Sequence, residues 1–142
     1  MKKTKNKQVI NSKFPLDKIA PFKFARLASY FSDGSRPGRK MGSALALKKS
    51  VVAVGRNSFT RTHTIQGNGV KPFIHAEIDA IVKRRHYDGL EKYDLYVYRE
   101  DMYGMPALAR PCPQCMKLII AFGIKRIFYT IAEEPYYEVI KL

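Results

Sequence analysis

Cys112 and Cys115 are the two cysteines of the chain, and they stand three positions apart in the run Pro111-Cys112-Pro113-Gln114-Cys115. At i and i+3 of a helix start, both sulfurs can turn towards one metal ion. Pro111 and Pro113 place the helix boundary here, because proline is accepted in the first turn and not deeper. The exposed N–H groups and positive end of that helix favour thiolates, the form that binds zinc. Two thiols this close, in a chain without a secretory signal, suggest a metal site or a redox pair before a structural disulfide. Zinc usually takes four ligands, so with no other cysteine a third must come from a histidine or a carboxylate.

The chain offers His63, His75 and His86. His75 and His86 fall on one expected helix, roughly 16 Å apart along its axis, so both cannot bind the same ion. His75 is favoured because it lies at the helix start beside Glu77. Within a helix, residues i and i+2 point roughly 200° apart, so His75 and Glu77 can act together only at the first turn. Three protein ligands leave the fourth position to water, the arrangement of catalytic zinc, and the metal can lower the pKa of that water to about 7. Glu77, a nearby carboxylate that is not a ligand, then fits the role of proton carrier. A closed structural site is the rival reading, and it would need His63 as fourth ligand.

His75-Ala76-Glu77 followed by Pro111-Cys112-Pro113-Gln114-Cys115 matches the H-x-E…P-C-x-x-C pattern of zinc nucleobase deaminases. From about Gly42 to Ile131 the chain resembles the cytidine and deoxycytidylate deaminase superfamily. HAEIDAI is similar to the corresponding stretch of deoxycytidylate deaminases and tRNA adenosine deaminases, whereas plain cytidine deaminases usually carry cysteine in place of this histidine. The resemblance implies a mixed five-stranded sheet flanked by helices, with Zn2+ held by His75, Cys112 and Cys115 between two helix N-termini. It implies attack of the activated water on C4 of cytosine, or C6 of adenine, with Glu77 protonating the adjacent ring nitrogen and then the leaving amine. The backbone N–H groups of Ala76 and Cys112 become candidates for contacts to the ring. Asn57, in the family's G-x-N segment, would bind the sugar or hold the base, and Pro111 is a further substrate-contact candidate. Arg110 and His63 are candidates for a substrate phosphate. Members of the superfamily assemble as dimers or larger, so a homo-oligomer is expected. One departure stands out: REDMYGMPALA intervenes before Arg110 and Pro111 where the family has a short lead, which implies a longer hairpin beside the pocket.

The elements that must position these residues are legible in part. From Pro21, the residues Phe24, Leu27, Ala28 and Phe31 recur at helical spacing and Gly34 follows, predicting a helix whose apolar stripe enters the core. SALALKKSVVAVGRNS reads as two apolar strands around a turn at Lys48 to Ser50. Ile74, Ile78, Ile81 and Val82 form the stripe of a second helix ending near the YDGL turn. DLYVYRE is a strand, DMYGMP a turn or extended loop, and Cys112, Cys115, Ile119 and Phe122 share a face of a third helix that Gly123 ends. RIFYTI supplies a further strand. The order α, β, β, α, β, α, β is that of an α/β fold with helices covering a mixed sheet. Together with the family likeness it predicts a three-layer α/β/α sandwich with a mixed five-stranded sheet.

A length of 142 residues with 46% hydrophobic content suits one domain, expected over 14–142, behind a lysine-rich and mobile arm over 1–13. No apolar run approaches the ~18–20 residues a bilayer span needs, and MKKTKNKQ has no apolar stretch behind it, so neither membrane insertion nor export is expected. A cytoplasmic protein is the expectation. Twenty-six Lys and Arg against twelve Asp and Glu give +14, a charge that draws phosphates. The basic residues are dispersed, at Lys2, Lys3, Lys5 and Lys7, at Arg36, Arg39 and Lys40, at Lys83, Arg84 and Arg85, and at Lys125 and Arg126. The reading is a zinc-dependent hydrolytic deaminase of a cytosine nucleoside or nucleotide, deoxycytidylate first. A polynucleotide deaminase, acting on tRNA adenosine or single-stranded cytosine with Tyr103, Tyr136 and Tyr137 for stacking, is the second. A non-catalytic nucleic-acid-binding domain with structural zinc is the third.

Overall fold

The computed structural model describes residues 14–34, 37–63, 65, 73–83 and 89–142. The arm over 1–13, His86, Arg36, Arg84 and Arg85 lie outside the described residues. After a 3-10 turn at Phe14–Lys18, helix α1 spans Ala20–Ser29. A short 3-10 turn at Pro37–Arg39 leads into strands β1 (Met41–Leu47) and β2 (Ser50–Arg56). Then come α2 (Ala76–Val82), β3 (Tyr93–Arg99), α3 (Pro113–Ala121), β4 (Arg126–Thr130) and β5 (Tyr137–Lys141).

The strands form one sheet in the order β2-β1-β3-β4-β5, with β3 and β4 parallel and the other neighbours antiparallel. β1 and β2 join through Lys48 and Lys49, both at positive φ, the backbone twist that a tight hairpin favours. Side chains alternate across the sheet, and each face has its own core. Ala44, Ala46, Tyr96 and Tyr98 lie under Phe22 and Ala25 of α1. Leu45, Leu95, Val97 and Ile127 lie under Ile78 and Ile81 of α2 and Cys115 and Ile119 of α3. The result is a three-layer α/β/α sandwich around a mixed five-stranded sheet, as expected. β3, covered on both sides, is buried continuously from Asp94 to Tyr98, which is why its sequence runs apolar rather than alternating.

Two expectations need correction. The stripe of Phe24, Leu27 and Phe31 does not enter the core: these side chains are 47%, 40% and 72% exposed. α1 instead buries Pro21, Phe22, Ala25 and Ser29. The reason is Gly42 in β1, where an added Cβ would lie 1.9 Å from the Ala25 carbonyl and 2.6 Å from the Ser29 nitrogen. At Gly42 the helix lies so close to the strand that only the small residues Ala25 and Ser29 fit there, while Phe22 is buried farther along against Tyr96. Tyr136 and Tyr137, taken as exposed stacking platforms, are partly buried, and the Tyr137 ring packs 5.6 Å from that of Phe22. β5, which the residue pattern did not signal, is a short edge strand with most side chains in solvent.

Gly55 does on the other face what Gly42 does on the first. A Cβ there would sit 2.3 Å from the Ala76 carbonyl and 2.4 Å from the Ala80 nitrogen. The Ser43 hydroxyl, directly across from Gly55 in the ladder, donates to the same Ala76 carbonyl at 2.7 Å. These contacts seat the first turn of α2, and the candidate site begins there. No helix among the described residues is long and apolar enough to cross a membrane.

Candidate active site

His75 is the N-cap of α2 and Cys112 the N-cap of α3; both have extended backbones, with φ/ψ of −83°/155° and −68°/163°. His75 is therefore not in helical geometry, and the helical i, i+2 separation from Glu77 does not apply: the chain turns between them. At the start of α3 the Cys112 sulfur caps the helix, accepting the Cys115 backbone N–H at 3.4 Å. His75 Nδ1 lies 3.0 Å from Cys115 Sγ and 3.6 Å from Cys112 Sγ. One donor atom from each of these three residues falls within 4.8 Å of the other two.

That set fits a zinc ion. An imidazole nitrogen and two thiol sulfurs are ligands zinc prefers, and three of them leave one position open. Burial pulls the His75 pKa down, which favours the neutral imidazole a metal needs. Among the described residues no fourth His, Cys, Asp or Glu joins the cluster. His63 in particular uses its Nδ1 to accept the Ile65 N–H at 3.2 Å.

Glu77 is 2% exposed, and its Oε1 has no hydrogen-bond partner. Buried carboxylate oxygens are nearly always satisfied, so an orphan is a group awaiting something. Burial pushes its pKa up to about 7, with its own backbone N–H opposing the shift. A carboxyl in that range can both accept and donate a proton at neutral pH. It shares a cavity of about 410 Å³ with His75 and Cys112. Met41, Phe59, Phe73 and Ile74 give this cavity apolar walls, while Arg39, Asn57 and Arg110 bring polar groups to it. The Phe73 ring stands 5.3 Å from the His75 ring.

The other candidates fall as follows. Asn57 is buried, accepts the Met41 N–H at 2.9 Å and donates to the Arg39 carbonyl at 2.6 Å. Its amide ties down the segment before β1 and keeps one N–H and one lone pair in reserve. Ala76 is buried, with its carbonyl held by Ser43. Pro111 is buried next to Cys112. Arg110 is exposed at the cavity wall, where its Nη1 donates to the Tyr129 hydroxyl at 3.1 Å rather than meeting Glu100 or Asp101. Those two acids are engaged elsewhere: Glu100 accepts from the hydroxyls of Tyr98 and of Tyr30 at the end of α1, and Asp101 closes its own turn through the N–H groups of Tyr103 and Met105. His63 lies outside the cavity walls.

Sequence reasoning passed over Asp79. This buried carboxylate accepts the Arg56 N–H at 2.9 Å and pairs with Arg61 at 3.3 Å and Lys83 at 3.2 Å, joining the end of β2 and the following loop to α2. Its sequence signal is a second acid in the first turn of HAEID, where a carboxylate is common for the helix dipole alone. Phe59 and Phe73 carried no cavity assignment and Arg39 was read only as part of a dispersed basic cluster, because loop residues have no periodicity that assigns them to a cavity.

Residues 22–131 match the family model of the cytidine and deoxycytidylate deaminase zinc-binding region. The chain belongs to this deaminase family. Among solved structures, the dCMP deaminase of cyanophage S-TIM5 in apo form is 26% identical over 84% of this chain and 86% of that one, with a TM-score of 0.57. The same phage deaminase in complex with dCMP and dUMP is 26% identical over 82% of each chain, again with a TM-score of 0.57. The cytidine deaminase of Burkholderia pseudomallei, 17% identical over 86% of this chain and 90% of that one at a TM-score of 0.61, shares the fold. No curated protein sequence gives a significant match. Within the deaminase family, the His/Cys/Cys group and the family's zinc-binding region agree in chemistry.

Proposed function

We propose that this chain is a zinc-dependent hydrolase that deaminates cytosine in a free nucleotide, with dCMP as first substrate, giving dUMP and ammonia. One observation carries the reading: the orphaned, buried Glu77 carboxyl lines one cavity with His75 and Cys112, two members of the His75, Cys112 and Cys115 donor set, among apolar walls and cationic groups. His75 Nδ1 and the two thiolates would hold zinc, which when bound supplies a Lewis acid that makes hydroxide available near neutral pH. Met41, Phe59 and Phe73 suit a flat heterocycle and help to exclude bulk water. Glu77 takes a proton from the attacking water, gives it to N3 of the ring, and passes the next one to the departing amine. The phage relative in complex with dCMP and dUMP supports the choice of monophosphate.

A second reading, a polynucleotide deaminase, is favoured by the turn between β3 and α3, where Met102 and Tyr103 are 70% and 83% exposed and free to stack on bases. The outward stripe of Phe24, Leu27 and Phe31 suits an assembly of copies of this chain, and sedimentation of the zinc-loaded protein tests that. Function is tested by incubating the protein with cytidine, deoxycytidine, their monophosphates, adenosine, tRNA and single-stranded DNA and scoring ammonia. Turnover of dCMP is expected. Turnover of a polymer with none of any monomer refutes the first reading, and one zinc per chain with no turnover at all favours a structural metal.

A further inference from the structure

Arg99 ends β3, and its side chain reaches backbone on two separate loops. Its Nε donates to the Leu108 carbonyl at 2.8 Å and its Nη1 to the Gly38 carbonyl at 2.9 Å. Each carbonyl lies just before a cavity-wall arginine: Gly38 precedes Arg39, and Leu108 stands two residues before Arg110. The rest of both loops is already tied down. Asn57 holds the Arg39 carbonyl at 2.6 Å, Met41 pairs with Arg99 across the ladder, and the Ala107 N–H donates to the Arg99 carbonyl at 2.9 Å. Arg110 is steadied by the Tyr129 hydroxyl, which itself donates to Glu138 at 2.5 Å.

The residue type matters here. Two carbonyls on different loops need donors that diverge at a fixed angle, which a planar guanidinium provides and a lysine ammonium does not. Arg39 and Arg99 have no carboxylate partner among the described residues, so the clasp adds positive charge to this side of the cavity instead of neutralising it. Glu77 is the one carboxylate among the described walls, and it is buried.

We infer that Arg99 is a positioning residue: it clasps the two loops at the spacing that lets Arg39 and Arg110 receive the 5′-phosphate of the substrate, and so sets the preference for nucleotide over nucleoside. This rests on the proposed cytosine deamination. A phosphate monoester of a free nucleotide is the chosen ligand, and a phosphodiester in a single strand offers the same chemistry, so both enter the test.

The test is steady-state deamination of dCMP, deoxycytidine and a short single-stranded oligonucleotide with one cytosine. The zinc-loaded full chain is compared with Arg99→Lys, Arg99→Gln, R39Q/R110Q and R39Q/R110Q/R99Q, with melting temperature and zinc content recorded for each. The dCMP-to-deoxycytidine ratio of kcat/KM is expected to fall about tenfold or more in both Arg99 variants, mainly through KM, as loss of a charge-assisted contact implies. The same ratio is expected to be low in the double variant and no lower in the triple, because Arg99 acts through the other two. An Arg99→Lys enzyme that keeps the ratio overturns the clasp, as does equal loss on both substrates or a triple variant that drops by the full Arg99→Gln factor. A wild-type preference for the oligonucleotide over dCMP, lost in the Arg99 variants, overturns the monoester. If the wild type turns over no monomer, the proposed function fails. Calorimetry with dUMP then still decides the clasp: weaker binding by Arg99→Gln, about tenfold, supports it, and equal or absent binding overturns it.

Discussion

Gly55→Ala adds one methyl group where the structure has no room for it. The new Cβ would sit 2.3 Å from the Ala76 carbonyl oxygen, 2.4 Å from the Ala80 nitrogen and 2.9 Å from Ser43 Oγ. Two of these neighbours are helix backbone, which cannot rotate away as a side-chain tip can. Restoring an ordinary 3.4 Å contact requires α2 to back off by about 1 Å. Overpacking of this kind costs about 1–3 kcal/mol. At roughly 4 °C per kcal/mol for a chain of this size, melting should fall by several degrees. The larger effect is on chemistry. His75 and Glu77 ride on the first turn of α2, whereas Cys112 and Cys115 ride on α3, so the shift pulls one zinc ligand and the proton carrier away from the other two ligands. A displacement of about 1 Å can cost on the order of 100-fold in rate.

Gly42→Ala is the matched comparison. Its Cβ would meet the Ala25 carbonyl at 1.9 Å, a worse clash, but on the α1 face of the sheet. Both variants should melt earlier. Only Gly55→Ala should also lose zinc affinity, read by competition with a chromogenic chelator, and kcat/KM per folded molecule on dCMP. Equal zinc affinity and equal specific activity in the two variants would refute the claim that Gly55 sets the site. An unchanged melting temperature in Gly55→Ala would refute the close approach itself.

Glu77→Gln should retain one zinc per chain by atomic emission and lose turnover by about 10²–10⁴-fold, since an amide of the same shape cannot carry the proton. Cys115→Ala, or prolonged chelation of the wild type, should remove zinc and lower the melting temperature, with zinc restoring both only in the wild type. Asp33 gives a pH dependence. The hydroxyls of Ser58 and Thr60 and the Phe59 N–H hold its carboxyl down to about 2 from 3.8. Because the folded value lies below the unfolded one, this stabilisation is complete above about pH 4 and is lost as pH falls through 2. Asp33→Asn should therefore melt below the wild type at pH 6, with the gap closing towards pH 2.

The chemistry was legible because it depends on residue type and spacing. Cys112 and Cys115 announced a shared ligand, and the proline on either side of Cys112 placed it at a helix start, where the structure has it. His75 was favoured over the other two histidines because it stands at a helix start beside Glu77, and it is the N-cap of α2. What stayed hidden was whatever depends on distance between elements. α1 shows the limit well: its large residues recur at helical spacing, yet Ala25 and Ser29, small and four apart, define the buried face because Gly42 lies against them. Hydrophobic periodicity measures which residues prefer to leave water, and here close backbone approach outranked that preference. Asn57 was read through its family position, but its two bonds to Met41 and Arg39 are long-range and have no local signature. β5 has an exposed, weakly patterned sequence because an edge strand next to one neighbour needs little else.

Gly42 and Gly55 are close to one another across the β1–β2 ladder, where Gly42 pairs with Arg56 and Ser43 with Gly55. The sheet is thus at its thinnest on both faces at the same end, and that end is where Met41 and Asn57 leave the ladder to line the cavity. A helix can bring its N-terminal turn over a strand end only if no side chain holds it off, so Gly55 governs how near the His75 turn can come to the loops bearing Arg39 and Asn57, while Gly42 seats α1 on the opposite face. Ser43 then converts nearness into register by bonding the Ala76 carbonyl, one residue from His75. The H-x-E and P-C-x-x-C runs supply the reactive groups, but they meet at hydrogen-bond distances because of residues with no reactive group at all. Grafting both runs onto another α/β sheet without glycine at the position of Gly55 should therefore reproduce the ligands and not the site.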